Sequence, residues 1–234
     1  ISLYFHRETL YPLLLRNVIT ADELMGVVRN TTMPWASRSM ALLALGITNT
    51  TAHRDFFAEI AESTAAEERL QEHAVRMLGF TKDKSTTPLL RSLLATSESL
   101  SVRSQAAECL AWLDDRSAVH EIERALEAAY APEFVSALAH FQEESSLSVL
   151  LDRLRSASFE SRREYLEALG AFWKYPQGRE VILEQFDRLI AAKEDGNCSE
   201  AMRARLVDAA YCRLPYPSAS TIFSRAVESP DCGR

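Results

Sequence analysis

One segment of this chain recurs, imperfectly, about every thirty residues, and that recurrence constrains the fold more than any other feature. The clearest copies run from Leu70 to Gly79 (LQEHAVRMLG) and from Val102 to Ala111 (VRSQAAECLA). Each is followed by a short polar turn and then by a second apolar helical pattern, Pro88–Leu94 and Val119–Leu126. A helix pair of this size cannot bury its apolar faces alone, so it has to stack on similar neighbours. Such an array makes binding, rather than chemistry, the first functional expectation.

The first helices of the pairs align on a leucine followed by a small residue: Leu45-Gly46, Leu78-Gly79, Leu110-Ala111, Leu138-Ala139 and Leu169-Gly170. Four residues before each leucine stands Ala41, Ala74, Ala106, Phe134 or Tyr165, which puts both positions on one helical face. Small side chains there let neighbouring helices approach closely. The two aromatic replacements fall in consecutive repeats, so a local change of stacking is expected around residues 130–170.

Helix starts agree with this division. Thr20 with Glu23, and Thr64 with Glu67, have capping-box spacing. Pro88, Pro132 and Pro176 stand where a first helical turn tolerates proline. No run alternates as a strand would, and no Asn-Gly or Asp-Gly hairpin occurs. Gly196 reads as a helix stop before a last helix pair. The expectation is one continuous all-α domain, a right-handed solenoid. It has two capping helices within residues 1–36, at about 5–17 and 21–30, a repeat array over residues 37–228 and a frayed tail over 229–234.

A net charge of −7 argues against a duplex nucleic-acid binder, which needs a basic surface to displace counterions. The apolar stretch Leu10–Leu15 is too short to span a bilayer, and the expected location is the cytoplasm. The chain starts at Ile1 and reads as a fragment or processed form. Cys109, Cys198, Cys212 and Cys232 lack the close spacing of a zinc knuckle or a redox pair. Cys109 falls on an apolar helix face as a small core residue, and no metal or cofactor is expected.

The segment Ser101–Val119, running on to Leu126, resembles HEAT repeats, specifically the short bacterial type first described in phycobilisome lyases. It carries that family's order of Val-Arg, paired alanines, leucine, a turn containing Asp, and an Ala-Val start to the second helix. Leu70–Leu94 is the next best match, and residues 37–60 and 161–190 match more loosely. The resemblance implies an α-solenoid, with mostly scaffold functions among its members. Deoxyhypusine hydroxylases of this fold bind two irons through several His-Glu dipeptides; here there is one, His120-Glu121, and the five histidines are scattered. The alkylpurine-DNA glycosylases need a basic, aromatic-lined surface that an acidic chain does not advertise. Bilin-lyase subunits share the repeat type and stay open on fold analogy alone.

One constellation goes beyond packing. The second helices carry Arg91, Arg124, Arg153, Arg188 and Arg225 in the same local setting, and three of these directly follow an acid: Glu123, Asp152 and Asp187. The resemblance implies that second helices line a concave face, where these arginines would form a row. Two readings follow. In one, the acid of each repeat pairs with the arginine of the next and ties the stack together. In the other, the row takes an acidic peptide, a terminal carboxylate or phosphates through arginine's forked donors. His73, His120, Trp112, Phe172 and Trp173 read as satisfied or packing residues. The functional expectation is a non-catalytic scaffold that binds a protein or peptide on its second-helix face. The alternative is a subunit or regulatory domain of a larger enzyme, such as a bilin-lyase-type protein.

Overall fold

The structure, a computed structural model, describes residues 19–49, 51–157, 159–172, 174–181 and 184. The expected helix at residues 5–17, the last helix pair and the tail lie outside them. Every regular element among the described residues is helical: α1 (Ala21–Arg29), α2 (Trp35–Asn49), α3 (Arg54–Glu62), α4 (Glu68–Phe80), α5 (Thr87–Thr96), α6 (Leu100–Trp112), α7 (Val119–Ala128), α8 (Pro132–Phe141), α9 (Glu144–Ser156) and α10 (Phe159–Gly170). The chain divides into two units, Ile1–Phe134 and Val135–Arg234. The division falls at Phe134, the first aromatic to stand where earlier repeats have alanine.

Within the first unit the helices form two layers. First helices α2, α4 and α6 pack on one another in sequence order, while α3 packs on α4, α5 on α6, and α5 on α7. The small-residue face explains this order. Ala41, Ala74 and Ala106 are buried, as are Leu45, Leu78 and Leu110 one turn later. At Gly46 and Gly79 the neighbouring helix stands where a Cβ would go. Phe80 and Trp112, which follow the small residue in successive repeats, stack with ring centroids 5.0 Å apart and an interplanar angle of 3°. The aromatics at these helix ends therefore join repeats.

Local signals set the ends of the helices. The Thr20–Glu23 capping box forms: Thr20 Oγ1 accepts from the Glu23 amide, and a Glu23 carboxylate oxygen accepts from the Thr20 amide at 2.7 Å. The Thr64–Glu67 box does not form. Glu67 is itself the residue before α4 and caps nothing with its side chain, because its carboxylate is taken by Arg38. Between α4 and α5, and again between α6 and α7, the turn is repeated. Lys82 and Asp114 take left-handed conformations (φ 56° and 53°), and the next residue, Asp83 or Asp115, accepts from the amide of Ser85 or Ser117. Pro88 and Pro132 lie in the first turns of α5 and α8 as expected.

In the second unit α9 packs on α10. Phe141, Leu150, Tyr165, Leu169 and Phe172 are buried there. The Tyr175 hydroxyl donates to the Gln142 carbonyl at 3.2 Å, and Gln142 takes the same left-handed conformation (φ 55°) as Lys82 and Asp114. The left-handed residue therefore recurs in three repeats, although Glu143, which follows Gln142, makes no side-chain cap. Cys109 is fully buried, its thiol donating to the Val75 carbonyl at 3.3 Å. Burial pushes that thiol up to about 12, which makes it an inert packing residue at neutral pH. No helix among the described residues is long and apolar enough to cross a membrane.

Candidate functional site

The expected row begins on α5. Arg91 is not presented outward for a ligand: its Nε donates to a Glu121 oxygen at 3.0 Å, a second guanidinium nitrogen closes the fork on the same carboxylate, and the third donates to Ser117 Oγ at 3.1 Å. The Glu121 carboxylate holds the Arg91 pKa above its already high ordinary value. Both partners, Glu121 and Ser117, lie in the next repeat, so the contact ties α5 to α7 and to the turn before it. Both side chains are partly solvated, and a pair of that kind contributes about 0.2–1 kcal/mol.

Arg124 is different. It is exposed on α7, and its Nε makes only a long 3.4 Å bond to the His120 carbonyl of its own helix. Glu123, its sequence neighbour, points the other way: it is 8% exposed and its carboxylate meets His120 Nδ1 at 2.8 Å. On α9, Arg153 is half-buried and close enough to Tyr165 to work against the rise that burial imposes on that phenol. Asp152 is exposed and pairs with Arg155 at 2.5 Å. Arg188, Asp187 and Arg225 lie outside the described residues.

At Arg91 the contact crosses one repeat boundary, with the arginine in the earlier repeat and the acid, Glu121, in the later one. The same polarity recurs along the first unit. Arg29 pairs with Glu59, Arg38 with Glu67 and Arg54 with Asp83, at separations of 30, 29 and 29 residues. Arg76 donates to Gln105 at 2.8 Å, again 29 residues on. Opposite charges one repeat length apart, with the arginine first, are therefore a signal present in the sequence.

His73 on α4 is satisfied between repeats, with Nδ1 2.5 Å from Ser39 Oγ on α2. Burial, reinforced by Arg76 and Arg69, depresses its pKa below 6.5. The folded state therefore resists a proton that the unfolded chain accepts. Stability contributed by neutral His73 is present above pH 6.5 and is lost as pH falls towards the lower folded value. The expected result is a melting temperature that declines between pH 7 and pH 5 by less in His73→Asn than in the native protein. Parallel pH profiles of the two proteins would refute it. The carboxylates held low by their partners, Glu59 by Arg29 and Glu68 by Ser99, lose their contribution only below pH 4.5. Their limb is therefore separable from that of His73.

Among the described residues no three of His, Cys, Asp and Glu are grouped to hold a metal ion. What the described arrangement offers is a layered array whose apolar inter-repeat packing is joined by polar contacts of charged and amide side chains. A family model for HEAT repeats matches residues 60–139. Those residues are HEAT repeats. They run from the end of α3 into α8 and include both segments that carried the resemblance in sequence. Among solved structures, a chain in the complex of CpcE and CpcF of phycocyanin lyase from Nostoc sp. is similar to this one. The likeness has a TM-score of 0.55 at 14% identity and covers 90% of this chain and 95% of that chain. At that identity it shows the fold alone, an all-α array of stacked helix pairs. No curated protein matches the chain in sequence.

Proposed function

We propose that this chain is a non-catalytic protein-binding module of the HEAT-repeat type, which holds a protein or peptide on the outer surface of its second helices. The observation that carries the reading is the division of labour between the layers. First helices are consumed by mutual packing of Ala41, Ala74 and Ala106, whereas α7 presents Arg124 to solvent with a single long intrahelical bond. Arg153 belongs to the same reading as the equivalent position on α9. Arg91, forked onto Glu121, serves the array rather than the partner. The solved complex with the same fold pairs two proteins, CpcE and CpcF, which supports association as the mode of action.

The test is charge reversal. Arg124→Glu combined with Arg153→Glu is expected to abolish recovery of partners that the native protein captures from its host. For Arg124→Glu alone the melting temperature should stay nearly unchanged, because an exposed arginine contributes little to stability. Intact capture with a large loss of stability would overturn the assignment of the surface. A second reading, a lyase-type subunit, is favoured by the likeness to a phycocyanin lyase complex. It predicts a pigment-protein operon around the gene, and a nuclease, toxin or signalling neighbourhood would count against it.

A further inference from the structure

The first unit holds a concave surface on the edge where helices begin. A cleft of about 370 Å³ opens there, shared by the starts of α4, α6 and α8. Small-ligand sites span about 300–1,000 Å³, so this one suits a single long side chain or a small ligand. Its apolar part comes from Leu100, Ala131 and Pro132, the residues at which α6 and α8 begin, and the exposed ring of Tyr130 stands beside them.

The polar part is acidic and only partly neutralised. Glu68 accepts from Ser99 Oγ at 2.5 Å and from Ser101 Oγ at 2.9 Å, so its charge is solvated by hydroxyls rather than cancelled. Glu72 receives Arg76 at 3.0 Å, but Arg76 divides its donors between Glu72 and Gln105. Glu133, on the opposite side, makes no hydrogen bond or ion pair with any described residue. The field of the cleft is felt at Glu72, whose pKa is raised by burial and then by Glu133 and Glu68 against the pull of Arg76. Arg69, whose guanidinium lies 5.0 Å from the centroid of the Trp35 ring, also pulls Glu72 and Glu68 down, so the neutralisation of the cleft comes from two arginines.

We propose that this cleft docks one arginine or lysine side chain from an extended basic segment of a protein partner. The alkyl stem would lie against Leu100 and Pro132, the charged head would meet Glu133 and Glu72, and Tyr130 would offer its ring face to the cation. A phosphate or carboxylate ligand is excluded by sign, and a metal by the lack of a ligand group among the described residues. The proposal rests on the protein-binding reading and deepens it. The helix-start edge takes a basic segment, whereas the second-helix row takes an acidic one.

Fluorescence anisotropy with two labelled Gly-Ser peptides tests it, one carrying two arginines and the other citrulline in their place. The arginine peptide is expected to bind the native protein, and the citrulline peptide to bind far more weakly. Glu133→Gln should weaken the arginine peptide about five-fold, the scale of one partly solvated charge pair. Glu127→Gln, which removes an exposed acid of α7, should leave it unchanged. An arginine peptide bearing a photo-crosslinker should label residues 130–133. Equal affinity for native protein and Glu133→Gln, equal loss in Glu127→Gln, or crosslinks confined to another surface would each overturn the cleft. None of these outcomes bears on host capture, and an empty capture would overturn the module reading without touching the peptide result.

Discussion

Replacing Gly79 by alanine is expected to destabilise the array by about 1–3 kcal/mol, the cost of forcing a methyl group into a packed interface. In an isolated helix the same change would gain about 1 kcal/mol from propensity, so the sign of the result is diagnostic. The packing argument wins because the added Cβ would lie 2.5 Å from Cys109 Sγ, 2.9 Å from Cys109 Cβ and 2.9 Å from the Trp112 ring. None of these can yield cheaply. Cys109 is fully buried with its thiol on the Val75 carbonyl, and Trp112 is stacked on Phe80. Helices α4 and α6 must therefore separate. Cys109→Ala removes the sulfur but not the Cβ, so it should restore only part of the loss. Gly46→Ala is the control: there the obstacle is the Met77 thioether, a flexible chain end, and the cost should be smaller. Urea unfolding of the four proteins checks the order. A Gly79→Ala variant as stable as the native protein would mean that the close approach of α4 and α6 does not depend on that glycine.

That glycine also shows why the repeat was legible in sequence. Packing between neighbouring first helices is carried by residues at a fixed place in each repeat. Leu78-Gly79 therefore announces the same contact as Leu45-Gly46 and Leu110-Ala111, and all five such pairs lie on first helices. The charge pairing was harder to read because it depends on helix rotation. Glu121 and Glu123 are two residues apart on α7, which at about 100° per residue places them on nearly opposite faces. One reaches Arg91 across the repeat boundary, while the other is buried and meets His120, an exposed side chain of its own helix. Which acid of α7 faces Arg91 is set by the rotation of the packed helix, which spacing along the sequence does not give. Likewise Thr64 and Glu67 have the spacing of a capping box, but spacing cannot show that a guanidinium from the preceding repeat competes for the carboxylate. The acidic cleft left no local signal, since its walls come from helix starts about thirty residues apart, one repeat length.

The guanidinium that wins that competition carries the other large effect. Arg38→Ala is expected to cost about 2–4 kcal/mol, near the lower end of what breaking a buried pair costs because one partner is half-solvated. Arg38 is 4% exposed although it sits on a first helix of an acidic protein. Its Nε donates at 2.7 Å to the Val28 carbonyl, one of the last carbonyls of α1, which lack helical partners. A terminal nitrogen reaches Glu67 at 2.5 Å, at the residue before α4. One side chain thus joins three helices, and only arginine's fork serves both acceptors at once. Arg38→Lys keeps the charge and should recover less than half of the loss. Glu67→Gln leaves the Val28 bond in place and should cost about 1 kcal/mol or less, since that carboxylate is about half exposed. The order Arg38→Ala, Arg38→Lys, Glu67→Gln in unfolding free energy distinguishes a carbonyl anchor from an ion pair. Hydrogen exchange adds a local readout, because loss of the anchor should release the amides of α1 before those of α4 and α6. If Glu67→Gln proved as costly as Arg38→Ala, the pair rather than the anchor would hold α1 to the array.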